Sequence, residues 1–89
     1  MQNRNESSTN YKYQIRFKWK DNVNATMHTD NLNRALEVAA IQMETHTKAD
    51  HRTGSLRGDG RVDLWDNGEK AGYVTVEEYK HGQYVQIGG

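Results

Sequence analysis

Apolar and polar residues alternate without a break from Tyr11 to Lys20. Tyr11, Tyr13, Ile15, Phe17 and Trp19 fall on one side, and Lys12, Gln14, Arg16, Lys18 and Lys20 on the other. Period two over ten residues predicts a β-strand with one aromatic and aliphatic face and one cationic face. Asp21-Asn22 supplies a turn, since Asn tolerates the left-handed conformation. Val23, Ala25 and Met27 then repeat the alternation in a second, weaker strand. A three-residue loop over 20–22 sets Trp19 opposite Val23, Phe17 opposite Ala25 and Ile15 opposite Met27, so the hairpin has one apolar face.

From Asp30 to Thr47 the period changes. Leu32, Leu36, Ala39 and Met43 recur at i, i+4, i+7 and i+11, flanked by Ala35 and Ala40. At about 100° per residue they form one stripe of an amphipathic helix. Thr29 or Asp30 is the expected N-cap, and the Asp30 carboxylate suits the positive end of the helix dipole. Val38 falls beyond the margin of the stripe, and Ile41 points roughly opposite Leu32. Two readings of Ile41 are open. It is a single exposed apolar residue, which is ordinary, or it marks a contact with a partner chain.

The next stretch, HTKADHRTGSLRGDG, is polar and carries glycines at 54, 58 and 60. It predicts a flexible loop over 48–60, either functional or merely disordered. Two hairpins follow. If Asp66-Asn67-Gly68 is a three-residue loop with Gly68 left-handed, Val62 and Leu64 share a face with Val74 and Val76. A plain two-residue turn would set them on opposite faces. If Tyr79–Gly82 forms the next turn, Val76 faces Val85 and Val74 faces Ile87. The expectation is a β-β-α-β-β-β order: an α+β domain with a five-stranded antiparallel sheet and one helix packed on one face. Residues 1–10 form a disordered polar tail, and 11–89 a single domain. The outer sheet face would carry Lys12, Arg16, Lys18, His28, Asp63, Trp65, Tyr73, Glu77 and Tyr84.

Composition narrows the functional classes. Leu, Ile, Val and Phe number 14 among 89 residues, which is below the ~20% that marks disorder at high net charge. Here the net charge is zero and the apolar residues are periodic, so a folded domain with a thin core is expected. A second copy or partner can supply burial that such a core lacks. Charge is nonetheless segregated: +4 over 1–20, −3 over 21–47, +2 over 48–61 and −3 over 62–89. The absence of cysteine excludes disulfides, thiolate metal sites and thiol nucleophiles. No apolar run is long enough for a membrane span or secretory signal, so the expected compartment is the cytoplasm.

Candidate chemistry is sparse. His46 and His51 miss the i, i+4 spacing of a helical metal pair, and His28 and His81 lie elsewhere, so no metal is expected. The run Asp63–Glu69 lacks the alternating carboxylates of a calcium loop. Glu77 and Glu78 are adjacent on a strand and point to opposite faces, which is wrong for an acid–base dyad. Neither an enzyme nor a cofactor is expected. The suggestive set is the cationic face of the first strand (Lys12, Arg16, Lys18) with outward Trp65, Tyr73 and Tyr84. Basic residues interleaved with aromatics on an open sheet face can stack bases and track phosphates. The same set also fits a protein-binding surface, or a solvated face whose cations pair across strands with Glu77 and Asp63. Basic residues of the 48–61 stretch, Arg52 and Arg57 among them, could clamp an acidic partner.

One resemblance covers Tyr11 to Ile87. It rests on an opening strand with Tyr13-Gln14-Ile15, on Asp30-Asn31-Leu32-Asn33-Arg34-Ala35 opening a helix whose stripe ends near Met43, on a Gly-rich joint, on an Asn-Gly hairpin, and on a terminal Gly82-Gln83-Tyr84-Val85-Gln86-Ile87 strand. This layout resembles a compact family of phage-encoded anti-CRISPR inhibitors of type I surveillance complexes. The resemblance implies a stoichiometric binder that occupies the guide–target DNA path of a nucleoprotein complex in the host cytoplasm. The long basic loop departs from that layout. Besides a protein or ribonucleoprotein partner, single-stranded nucleic acid and a homodimer through the Ile41 side of the helix or an edge strand remain as alternatives.

Overall fold

The alternating ribbon near the start of the chain is strand β1, Tyr13–Trp19, in a computed structural model that describes residues 10–20 and 23–88. The expected tail over 1–10 and the Asp21-Asn22 turn lie almost wholly outside the described residues. β1 buries Tyr13, Ile15, Phe17 and Trp19 and turns Gln14, Arg16 and Lys18 to the other side. β2 (Val23–Thr29) pairs with it in the expected register, Phe17 with Ala25 and Ile15 with Met27.

Helix α1 (Leu32–His46) packs on the apolar face. Its cap is Asn31, not Thr29 or Asp30. The Asn31 side chain accepts the Arg34 N–H at 2.9 Å. Asp30 serves differently: its carboxylate accepts the Lys12 N–H at 2.9 Å and ties the helix start to the strand. Ala35, Leu36, Ala39 and Met43 are buried, whereas Leu32, in the first turn, stays 38% exposed. Ala35 closes the stripe in its place. Val38 packs on the margin of the core, and Ile41 is 47% exposed.

The sheet has six strands, one more than expected. The added strand is β3 (His51–Ser55), inside the stretch read as a loop. A single turn of helix, α2 (Leu56–Asp59), follows it. β3 has no apolar residue and is exposed throughout, so no hydrophobic pattern could announce it. Its ladder to β4 (Arg61–Asp66) holds it, helped by a Trp65 Nε1–H bond to the Thr53 hydroxyl at 3.0 Å.

β5 (Glu69–Lys80) runs the length of the sheet, and β6 (Gln83–Gln86) returns beside its end. The order is β2-β1-β5-β4-β3, all antiparallel. β4 and β6 share one edge of β5, meeting at Val76. Its N–H donates to the Gly60 carbonyl at 2.8 Å and its carbonyl accepts the Ile87 N–H at 3.1 Å. Val62, Leu64, Val74 and Val76 complete the core with β1 and α1. Each such side chain contributes roughly 1.5–3 kcal/mol when fully buried.

Both hairpin registers differ from expectation. The β4–β5 turn is the plain two-residue Asn67-Gly68, with φ of 53° and 80° and Asp66 opposite Glu69. The shared apolar face survives because a bulge shifts the register between Leu64 and Trp65, leaving Leu64 opposite Gly72 and Trp65 opposite Lys70. The β5–β6 turn is His81-Gly82, φ 51° and 87°, which puts Val85 opposite Glu78. That is two residues from the expected register, so the faces are unchanged.

Gly72 and Gly68 are required for different reasons. A Cβ at Gly72 would collide with the Lys18 carbonyl, whereas one at Gly68 meets nothing but would sit on a left-handed backbone. Gly72→Ala should therefore cost about 2–3 kcal/mol through overpacking, and Gly68→Ala about 1 kcal/mol through backbone strain. Urea unfolding of both variants checks this, and a reversed order would contradict the packing described.

Candidate binding face

Residues directly opposite in a ladder share a face. On the side away from α1 the registers therefore assemble rows across the sheet. One row is Asn24, Lys18, Tyr73, Asp63 and Thr53. The next is Thr26, Arg16, Thr75, Arg61 and Ser55. A third is His28, Gln14, Glu77 and Gln86.

Glu77 is the hub of this face. It is 6% exposed although it points away from the core. Its carboxylate accepts Gln14 Nε2 at 2.7 Å, Arg16 Nε at 2.9 Å and the Thr75 hydroxyl at 3.2 Å. Gln14 Oε1 in turn lies 2.8 Å from His28 Nε2. Three donors compensate a nearly buried carboxylate, as burial of a charge demands. A second carboxylate, Asp63, holds Arg61 Nε at 2.9 Å and Lys70 Nζ at 3.2 Å. The Arg61 guanidinium also lies 4.7 Å from the Tyr73 ring centroid, within cation–π range. Lys18 is different. It is half-buried beside Tyr73 and makes no ion pair with a described residue.

Aromatic rings close one end of the face. His28 stacks on Tyr11 at 5.8 Å and meets Tyr84 at 5.7 Å, and Tyr84 meets Tyr79 edge-on at 5.2 Å. The Tyr84 hydroxyl donates to the Tyr11 carbonyl at 2.5 Å. Burial, then the neighbouring Tyr79 and Asp30, raises the Tyr84 pKa above its ordinary value.

The structure thus brings Arg16, Lys18, Trp65, Tyr73 and Tyr84 to one surface. Lys12 precedes β1, and its ammonium lies 5.7 Å from the Tyr13 ring, a core-side residue. Arg52 is opposite Leu64 and so lies on the helix side. Arg57 is on α2, whose Leu56 packs against the core from that same side. Neither joins the face, because the loop expected to carry them is a strand followed by a helical turn. Arg61 and Lys70 do join it. The alternation of β4 could have placed Arg61 there, but no sequence signal predicted the bulge that sets Lys70 opposite Trp65. Away from this face an open cleft of about 510 Å³ lies between the ends of β1 and α1. Lys20, Lys48 and His46 line it, and its carboxylate, Asp66, is held by Lys20.

No family model, curated protein or solved structure matches the chain. The class is therefore defined by the fold alone: an α+β domain with a six-stranded antiparallel sheet, one face under a helix and the other open.

Two outcomes follow from this network. Glu77→Ala strands Arg16 and Gln14 and should lower stability by about 2 kcal/mol in urea unfolding. A loss under about 0.5 kcal/mol would show that the hub is incidental. Tyr84 keeps its proton to higher pH in the folded chain than in the unfolded one. Above about pH 10 the unfolded state binds fewer protons, so stability falls as pH rises there. Tyr84→Phe should shallow that alkaline slope, and an unchanged slope would contradict the assignment.

Proposed function

We propose that this chain is a non-enzymatic binding protein whose open sheet face docks on a protein or on the protein part of a nucleoprotein complex. The observation that carries the reading is how the cations are used. Arg16 is bound to Glu77, and Arg61 and Lys70 to Asp63. A phosphate chain would have to compete with those carboxylates, and salt-sensitive phosphate binding depends on cations that neutralise the backbone. What remains is a surface on which two carboxylates hold three of the four cations, with Tyr73 and Lys18 near its middle. Aromatics and arginine framed by paired polar groups suit a protein interface. The resemblance to phage-encoded inhibitors makes a type I surveillance complex the first partner to try.

Lys18→Glu with Tyr73→Ala changes the centre of the face and leaves the Glu77 hub intact. Tagged wild-type chain, this variant and an Arg52→Glu/Arg57→Glu control should be compared in pull-downs. The face variant should lose recovery of the partner at least tenfold while the control retains it. Loss in the control alone would move the interface to the helix side. A labelled single-stranded oligonucleotide should show no shift at micromolar protein in low salt. A shift that fades steeply with added salt would instead establish the nucleic-acid reading.

A further inference from the structure

Arg16, Lys18, Arg61 and Lys70 are the cations of the open face, and three of them are held by carboxylates. Arg16 pairs with Glu77, and Arg61 and Lys70 with Asp63. Lys18 makes no ion pair or hydrogen bond with a described residue. Its place in the sheet explains why. The residues opposite it are Asn24 on β2 and Tyr73 on β5, neither of them acidic. Asp63 shares its row but lies two strands away, about 10 Å at ordinary strand spacing. That carboxylate already serves two cations, and Glu77 already accepts three donors. Asp66, beyond the end of the row, is held by Lys20.

Tyr73 is in the same position. The Arg61 guanidinium lies against its ring at 4.7 Å, yet its hydroxyl makes no hydrogen bond with a described residue. Lys18 and Tyr73 are directly opposite in the β1–β5 ladder, a pairing that sets Cβ atoms about 5 Å apart. Both are half-buried. Two donors without an acceptor among the described residues therefore stand side by side near the middle of the face. Half-burial also reduces screening, which strengthens the attraction for an incoming negative group. The charge balance of the face points the same way. Its four cations outnumber Glu77 and Asp63, and the excess falls on both sides of Tyr73. It sits at Lys18 on β1 and at the Arg61–Asp63–Lys70 group toward β4.

We propose that the occupant of the open face is an acidic protein segment, and that the Lys18 ammonium and the Tyr73 hydroxyl together receive one of its carboxylates. This rests on the reading of that face as a docking surface and adds the chemistry of the partner. A carboxylate supplies the acceptor that both donors lack, and further acidic groups on the segment offset the remaining excess charge. A nucleic-acid strand fits less well. It repeats a phosphate at every nucleotide and is followed by a groove of cations, whereas the other cations of this face are already paired.

A labelled peptide of alternating glutamate and serine is the probe. The same peptide with glutamine for glutamate is the neutral control, and an oligothymidine of equal length is the phosphate control. The acidic peptide should bind the full chain in low salt with amide shifts centred on Lys18 and Tyr73, and the glutamine peptide should not. Lys18→Gln should weaken binding roughly fivefold and Tyr73→Phe roughly twofold. Lys18→Arg should retain it, and Arg52→Gln/Arg57→Gln should leave it unchanged. Undiminished binding by Lys18→Gln, with shifts still on the open face, overturns this assignment and leaves the docking reading standing. Shifts confined to the surroundings of Arg52 and Arg57 contradict both. An acidic peptide that does not bind, or an oligothymidine that binds more tightly, also overturns the proposal. So does tighter binding by Glu6→Gln or Asp21→Asn, since a carboxylate of the chain itself would then be the occupant.

Discussion

The burial of one face of β1 under α1 is the contact on which the rest of the molecule depends. Tyr13, Ile15, Phe17 and Trp19 are all under 9% exposed, and they meet Ala35, Leu36, Ala39 and Met43 of the helix. Few other large side chains are available to this chain. Because β1 pairs with β2 on one edge and β5 on the other, that burial also fixes the registers of both neighbours. A slip of one residue would expose four core side chains and enclose Arg16 and Lys18. The same alternation that builds the core therefore dictates what the open face displays.

That coupling explains which parts of the fold were legible in the sequence. β1, the β1–β2 register and the body of α1 could be read because burial there follows clean periods of two and 3.6, whereas the cap at Asn31 could not. β3 could not, since His51–Ser55 is held by ladder hydrogen bonds and buries nothing. The β4–β5 hairpin is an intermediate case. The requirement that Val62 and Val74 share a face was visible in the pattern, but the device that meets it was not. A bulge near Gly72 shifts the register, where a bulged turn at Gly68 was expected. Apolar pattern constrains parity, and it does not say where an extra residue is absorbed.

The open face shows the same division. Arg16, Lys18, Tyr73 and Trp65 could be assigned to it from alternation alone. Pairing of its cations with Glu77 and Asp63 was one of the readings left open, and the strand order β1-β5-β4 brings Arg16 to Glu77 while Asp63 takes Arg61. A ribbon that reads as strongly cationic thus becomes part of a surface on which most cations are held by carboxylates. Arg52 and Arg57, close in sequence to Arg61, end on the other side once β3 and α2 take the place of a loop.

Native-state amide hydrogen exchange tests the central contact most directly, since protection tracks the free energy of opening each segment. The amides of Ile15, Phe17, Val74 and Val76 should be the slowest in the chain, exchanging only on global unfolding, with those of β3 at least tenfold faster. If the β1 amides exchanged as fast as His51–Ser55 while another segment held the slowest protons, the β1–α1 contact would not be what organises this fold.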